Sequence, residues 1–191
     1  MEQLWFYFDL GLRHVLDLKA IDHLLFIAAF TAPFHFGALR KLLWWTTLFT
    51  FGHTLSLIGN YYYQLDPPAT WIEFLIPVSI LVACIPLMRS GEQARRSKSF
   101  FSVLIFIFGI VHGFGFSRYF GMVVPEDSAN SALLSFAFGV EAAQILIIAG
   151  VLVLEILLVR LIALKKGKWQ LIVGAMIASQ ALGMCFQNWP L

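Results

Sequence analysis

The chain has 191 residues, 60% of them apolar, 16% aromatic and only 13% charged, with a formal net charge of +2. A soluble domain carries about 25% charged residues, so this composition excludes a water-soluble globule, and so small a charge gives no reason to expect nucleic acid as a partner. Cys84 and Cys185 both lie inside apolar runs without a CxxC pattern, which argues against a disulfide framework or a zinc ribbon.

Several apolar runs reach the ~20 residues needed to cross a ~30 Å hydrocarbon core. They predict an all-α, polytopic membrane bundle of six transmembrane helices, a single transmembrane domain over residues 1–191. Residues 4–19, LWFYFDLGLRHVLDLK, read either as the outer part of the first span or as an amphipathic helix at the surface, and their Asp9, Arg13, Asp17 and Lys19 are unlike a cleaved signal peptide. The first span contains IDHLLFIAAFTA and ends near Pro33. The second is expected over 42–60, the third over 71–88, the fourth over 100–120, the fifth over 132–164 and the sixth over 169–189.

Lysine and arginine set the orientation, because they concentrate in cytoplasmic loops. Arg40 and Lys41 come after the first span, Arg89, Arg95, Arg96 and Lys98 after the third, and Arg160, Lys165, Lys166 and Lys168 after the fifth. These loops hold ten of the thirteen basic residues, and only Arg13, Lys19 and Arg118 fall on the other side. Both termini are therefore expected outside, together with the loop at Glu126 and Asp127.

An ionisable side chain inside a membrane helix costs a few kcal/mol or more, so each one calls for a reason. The residues in question are Asp22 and His23, His53, Glu73, His112, and Glu141 with Gln144. At ~1.5 Å per helical residue, His23 lies roughly 15 Å from the inner boundary, His53 and His112 roughly 18 Å, and Glu141 roughly 13 Å below the outer start of its span. Four helices would thus bring His or carboxylate into one slab of the outer half-membrane. Imidazole and carboxylate are the ligands of zinc, nickel, cobalt and iron, and facing bundle helices are where such sites are built. Thr50 shares a face with His53 and could support its imidazole, and Asp22 could orient a histidine on another segment. His14 and Glu73 lie nearer the outer surface as access residues, with Glu73 reading as a solvated carboxylate rather than a ligand. His35 reads as a loop residue at the inner face, and Glu155 either pairs with Arg160 or guards an exit.

At IDHLLF (21–26), FTFGHTLSL (49–57), WIEFLIPVSI (71–80), GIVHGFGFS (109–117) and FAFGVEAAQ (136–144) the chain resembles the HupE/UreJ family of small bacterial membrane proteins, in the branch with a His-Gly-x-Gly-Phe motif. These pieces cover five of the six expected spans in the family's order. The resemblance implies a multi-pass protein of the bacterial cytoplasmic (inner) membrane that serves as a permease for nickel or a related divalent metal. It also implies that Asp22, His23, His53, His112 and Glu141 occupy the family's polar positions. Gly109 stands where hydrogenase-linked members carry a further histidine, and His14 precedes Asp22 by seven intervening residues where the family usually has about five.

These residues support two functions. A metal permease needs a hydrated route on both sides, and the inner half here is dry, offering mainly Thr46, Thr47, Ser79, Ser102 and Glu155. The alternative is an intramembrane metalloenzyme of the zinc-hydrolase type, with histidine ligands and Glu141 or Asp22 as general base. In either case the expected partners are a divalent transition metal (nickel, zinc, cobalt or iron) and the lipid bilayer.

Overall fold

The computed structural model describes residues 2–88 and 98–190, and every element among them is helical. Arg89, Arg95 and Arg96 of the basic loop after the third expected span lie outside the described residues, as do the side chains of Lys98 and Arg160. In chain order the helices are α1 (Glu2–Leu16), α2 (Asp22–Thr31), α3 (Leu39–Tyr63), α4 (Ala69–Met88), α5 (Lys98–Val123), α6 (Ala129–Ile156) and α7 (Lys166–Gln187). One-turn 3-10 segments at Phe36–Ala38 and Glu126–Ser128 lead into α3 and α6, and a π-helical turn at Leu157–Leu161 prolongs α6.

The helices expose large apolar side chains such as Trp44, Phe51, Ile107, Leu134, Phe138 and Met176 on their outer faces while burying others inward. A helix apolar all round belongs in hydrocarbon. The chain is a multi-pass membrane protein: Ala69–Met88, Phe101–Val123, Glu126–Val159 and Lys166–Gln187 are each long and apolar enough to cross, and α2 with α3, bent by 100° between them, adds a fifth candidate. The third to sixth expected spans thus coincide with α4 to α7 within a few residues.

The first expected span does not form one helix. The Asp17 carboxylate accepts the Lys19 N–H (2.9 Å) and the Asp17 carbonyl accepts that of Ala20 (3.1 Å), a local turn that competes with helix continuation. The next helix, α2, has ten residues, about 15 Å of rise and half of a ~30 Å core. α1 packs along α6. Gly11 and Gly139 face the partner backbone at this crossing, where a Cβ on Gly11 would fall on the Phe136 carbonyl and one on Gly139 on the Phe8 carbonyl.

The other principal pairs are α3 with α5 and α4 with α7. Pro77 inside α4 cannot donate to the Glu73 carbonyl, and the Asn188 side-chain amide of the C-terminal segment takes that acceptor at 3.2 Å. The first turn of α7 closes the end of α2: Trp169 Nε1 donates to the Ala32 carbonyl (3.1 Å), Lys166 Nζ to that of Phe34 (3.2 Å) and Gln170 Nε2 to that of Pro33 (3.5 Å). Lys166 also pairs with Glu155 at 3.3 Å, while the pairing with Arg160 that the sequence suggested falls outside the described side chains. His35 is exposed in this region and accepts the Gly37 N–H at 3.0 Å. At the opposite end Arg118 binds Asp66 through two hydrogen bonds of 2.7 and 2.8 Å, and the guanidinium holds the Asp66 carboxyl below the usual carboxylate range.

Candidate metal centre

Three backbone approaches between α3 and α5 bring the helices that carry His53 and His112 close together. A Cβ on Gly52 would strike the Phe106 carbonyl, one on Gly109 the Phe49 carbonyl, and one on Gly113 the His53 carbonyl. With the helix axes so close, His53 and His112 project into the same interior. The 109 position therefore has no room for a histidine, which accounts physically for the glycine found there.

α2 enters the same interior with Asp22 and His23 at its first turn, and α1 brings His14 near its end. The His23 ring centroid lies 4.8 Å from that of His14, 4.8 Å from that of His112 and 6.2 Å from that of His53, while His14 and His53 are 5.6 Å apart. Of the chain's five histidines, four thus meet in one group, with only His35 outside it. His23, His53 and His112 are 2%, 1% and 2% exposed.

The hydrogen bonding of this group is incomplete. His23 Nδ1 sits 3.2 Å from Asp22 Oδ1, and His112 Nδ1 lies 3.3 Å from the Phe108 carbonyl. Asp22 Oδ2 approaches His112 Nε2 at 3.4 Å without hydrogen-bond geometry. The Nε2 atoms of His14, His23, His53 and His112 are all buried and without a hydrogen-bond partner. Buried polar atoms are nearly always satisfied, so the orphan Nε2 atoms of His14, His23 and His53, with that of His112 facing only the Asp22 carboxylate, point to a ligand that accepts nitrogen lone pairs. One ligand atom each from His14, His23 and His53 lies within 4.8 Å of the others, and the same holds for Asp22, His23 and His112. Donors at about 2.1 Å from a tetrahedral ion are about 3.4 Å apart, so either set closes on a divalent ion through side-chain movement alone. Imidazole with one carboxylate suits the transition metals better than calcium or magnesium.

Aromatic rings enclose the group. Phe26 lies three residues after His23, Phe49 four before His53 and Phe108 four before His112. Given the directions of α2, α3 and α5, each ring is one turn toward the Lys/Arg-rich end. Phe26 and Phe108 stack at 3.3 Å between centroids, and Phe49 lies 5.9 Å from each. This floor separates the histidines from that end. Phe116 and Phe136 stack on one another at 5.1 Å beside His14 and His53.

The remaining residues expected at the site lie elsewhere. Glu141 is apart from the histidines because α6 begins at Ala129 rather than 132, which carries the carboxylate about 4.5 Å deeper, and it is met by threonines of α3. Thr50 donates to Glu141 Oε2 at 2.6 Å and gives His53 no hydrogen bond. Gln144 is buried beside Thr50 (3.3 Å), and Glu73 is exposed on α4. His14 belongs to the group rather than to an access route; its place was hidden in the sequence because an amphipathic segment fixes no direction for a side chain. The phenylalanine floor does leave a signal in the sequence, a Phe one turn inward of each buried histidine, although these rings read there as bulk apolar residues.

Comparison with curated proteins and with solved structures gives no significant match. The family model described as HupE / UreJ protein matches residues 1–190, so that the five motif segments, and the helices that bring their histidines together, fall within one family alignment: the chain belongs to the HupE/UreJ family.

Proposed function

We propose that this protein is a permease for nickel or a related divalent transition metal, which it takes from the outer side into the histidine group. The observation that carries the reading is two overlapping ligand sets, His14, His23 and His53 with orphan Nε2 atoms, and Asp22, His23 and His112, drawn from α1, α2, α3 and α5. A purely structural network would satisfy its own donors and acceptors, and this one leaves them open. His23 belongs to both ligand sets, so an ion held by His14, His23 and His53 can move to Asp22, His23 and His112 without leaving protein ligands. Asp22 supplies negative charge that offsets the desolvation of a dication.

In this reading α1 and α2 together make one interrupted crossing and α3 the next. That gives six crossings with both termini outside, in line with the ten-to-three division of lysine and arginine. A second reading, a metal-dependent intramembrane hydrolase open to the outside, is favoured by the phenylalanine floor, which closes the inner side. Asp22 is then the general base, since it lies among the histidines and Glu141 does not.

Metal analysis of protein purified in detergent tests the site. Bound divalent metal is expected, and it falls in His53→Ala and after chelation. Protein that is metal-free and indifferent to both treatments overturns the proposal. In reconstituted vesicles, time-dependent uptake of nickel, cobalt or zinc that is lost in His112→Ala identifies a permease. Metal that is tightly held without flux identifies the hydrolase.

A further inference from the structure

Glu141 is half-buried among the buried Thr46, Thr50 and Gln144 and the exposed Thr47, and its surroundings differ in kind from the histidine group. Thr46 and Thr47 approach Glu141 Oε1 with their hydroxyls at 3.1 and 2.8 Å, and Thr50 approaches Oε2 at 2.6 Å. Gln144, one turn along α6, adds its Oε1 at 3.3 Å from the Thr50 hydroxyl. No lysine, arginine or histidine nitrogen lies within 4 Å of the carboxylate among the described residues.

The hydroxyl protons do not suffice for the acceptors around them. Each threonine has one proton, yet Thr46 and Thr47 both also face the Leu43 carbonyl, at 2.7 and 3.1 Å, and Thr50 is shared between Glu141 and Gln144. Gln144 is 1% exposed and its amide nitrogen has no partner at all. A carboxylate inside a membrane bundle without a cationic side chain is short of positive charge.

From this geometry we infer a separate binding site for a small monovalent cation, Na⁺, formed by the Glu141 carboxylate, the hydroxyls of Thr46, Thr47 and Thr50, and the Gln144 carbonyl. All donors are oxygen, which selects a hard cation and not the nitrogen-seeking metals of the histidine group. A single carboxylate balances a single charge, whereas a divalent ion would leave net charge in apolar surroundings. The oxygens lie 2.6 to 3.3 Å from one another along the chain of contacts, which is hydrogen-bond spacing, so an ion enters by turning the hydroxyl protons outward and parting the oxygens. The site goes beyond the metal reading and does not depend on it. If that reading also holds, this is where a downhill ion is taken up beside the cargo.

Equilibrium binding of ²²Na⁺ to the full-length protein in detergent tests the inference. Saturable binding is expected, weakened about tenfold or more in Glu141→Gln and measurably in Thr47→Val. Modification of Glu141 by the lipid-soluble dicyclohexylcarbodiimide is expected to slow in Na⁺ and not in equal choline. Nickel binding by the same preparations reports separately on the histidine group, and unchanged helix content by circular dichroism shows that Thr47→Val is folded. Absence of Na⁺ binding, binding unchanged in both variants, or carbodiimide labelling indifferent to Na⁺ overturns the site. The last result means that Glu141 carries a proton instead.

Discussion

Asp22 is the residue on which the histidine group turns. Its two oxygens face His23 Nδ1 at 3.2 Å and His112 Nε2 at 3.4 Å, so one carboxylate orients the ring beside it and reaches a second helix. Asp22→Asn keeps the shape and removes the charge. It is expected to lower divalent-metal affinity about 10–100-fold, the usual effect of losing a carboxylate that supports a metal-binding histidine, with helix content by circular dichroism unchanged. Glu155→Gln, at the far end of α6 against Lys166, leaves that affinity as it was. An affinity unaltered in Asp22→Asn would remove Asp22 from the site. At this scale sequence was informative wherever cost was the signal: His23, His53 and His112 stand out because an imidazole in hydrocarbon needs a partner. It was less informative about direction. Helical rise gives a height only as good as the assumed start of the helix, which is how Glu141 was counted with the histidines while its side chain meets Thr46, Thr47 and Thr50 deeper along α3.

Among the elements, the contact of α1 with α6 decides whether His14 reaches the group at all. Gly139 admits no Cβ there, because it would fall on the Phe8 carbonyl, whereas Gly150 in the same helix has open space around it. Gly139→Ala is expected to destabilise the protein by about 1–3 kcal/mol through overpacking, read as a lower unfolding temperature in detergent, together with weaker metal binding as His14 moves away. Gly150→Ala, by contrast, is neutral or gains about 0.5–1 kcal/mol from helix propensity. Equal effects of the two substitutions would contradict the close α1–α6 approach. Four of the long helices were legible from apolar length alone, which is the physical requirement for crossing. The separation of α1 from α2 was legible only as one of two readings of residues 4–19, because charge at Asp17 and Lys19 fits either an outer helical turn or a break, and it is the local bonds of Asp17 that make the break.

For the molecule as a whole, the asymmetric distribution of lysine and arginine predicts that both ends of the chain face outward. A C-terminal alkaline phosphatase fusion should be active and a C-terminal green fluorescent protein fusion dark, and the reverse pattern would invert the orientation. The layer formed by Phe26, Phe49 and Phe108 then has an electrical consequence. Three rings packed together act as an insulating layer, and in the proposed permease a share of the membrane voltage would fall across them. An ion held by the histidines of such a permease would still have that share to cross. Crossing the full potential is worth about 2.3 kcal/mol per elementary charge for each 100 mV, negative inside, and twice that for a dication, and passing the rings would gain the part of it that falls there. The inward step would thus be drawn by the membrane potential, and with the rings closed the same layer keeps the pathway from short-circuiting it.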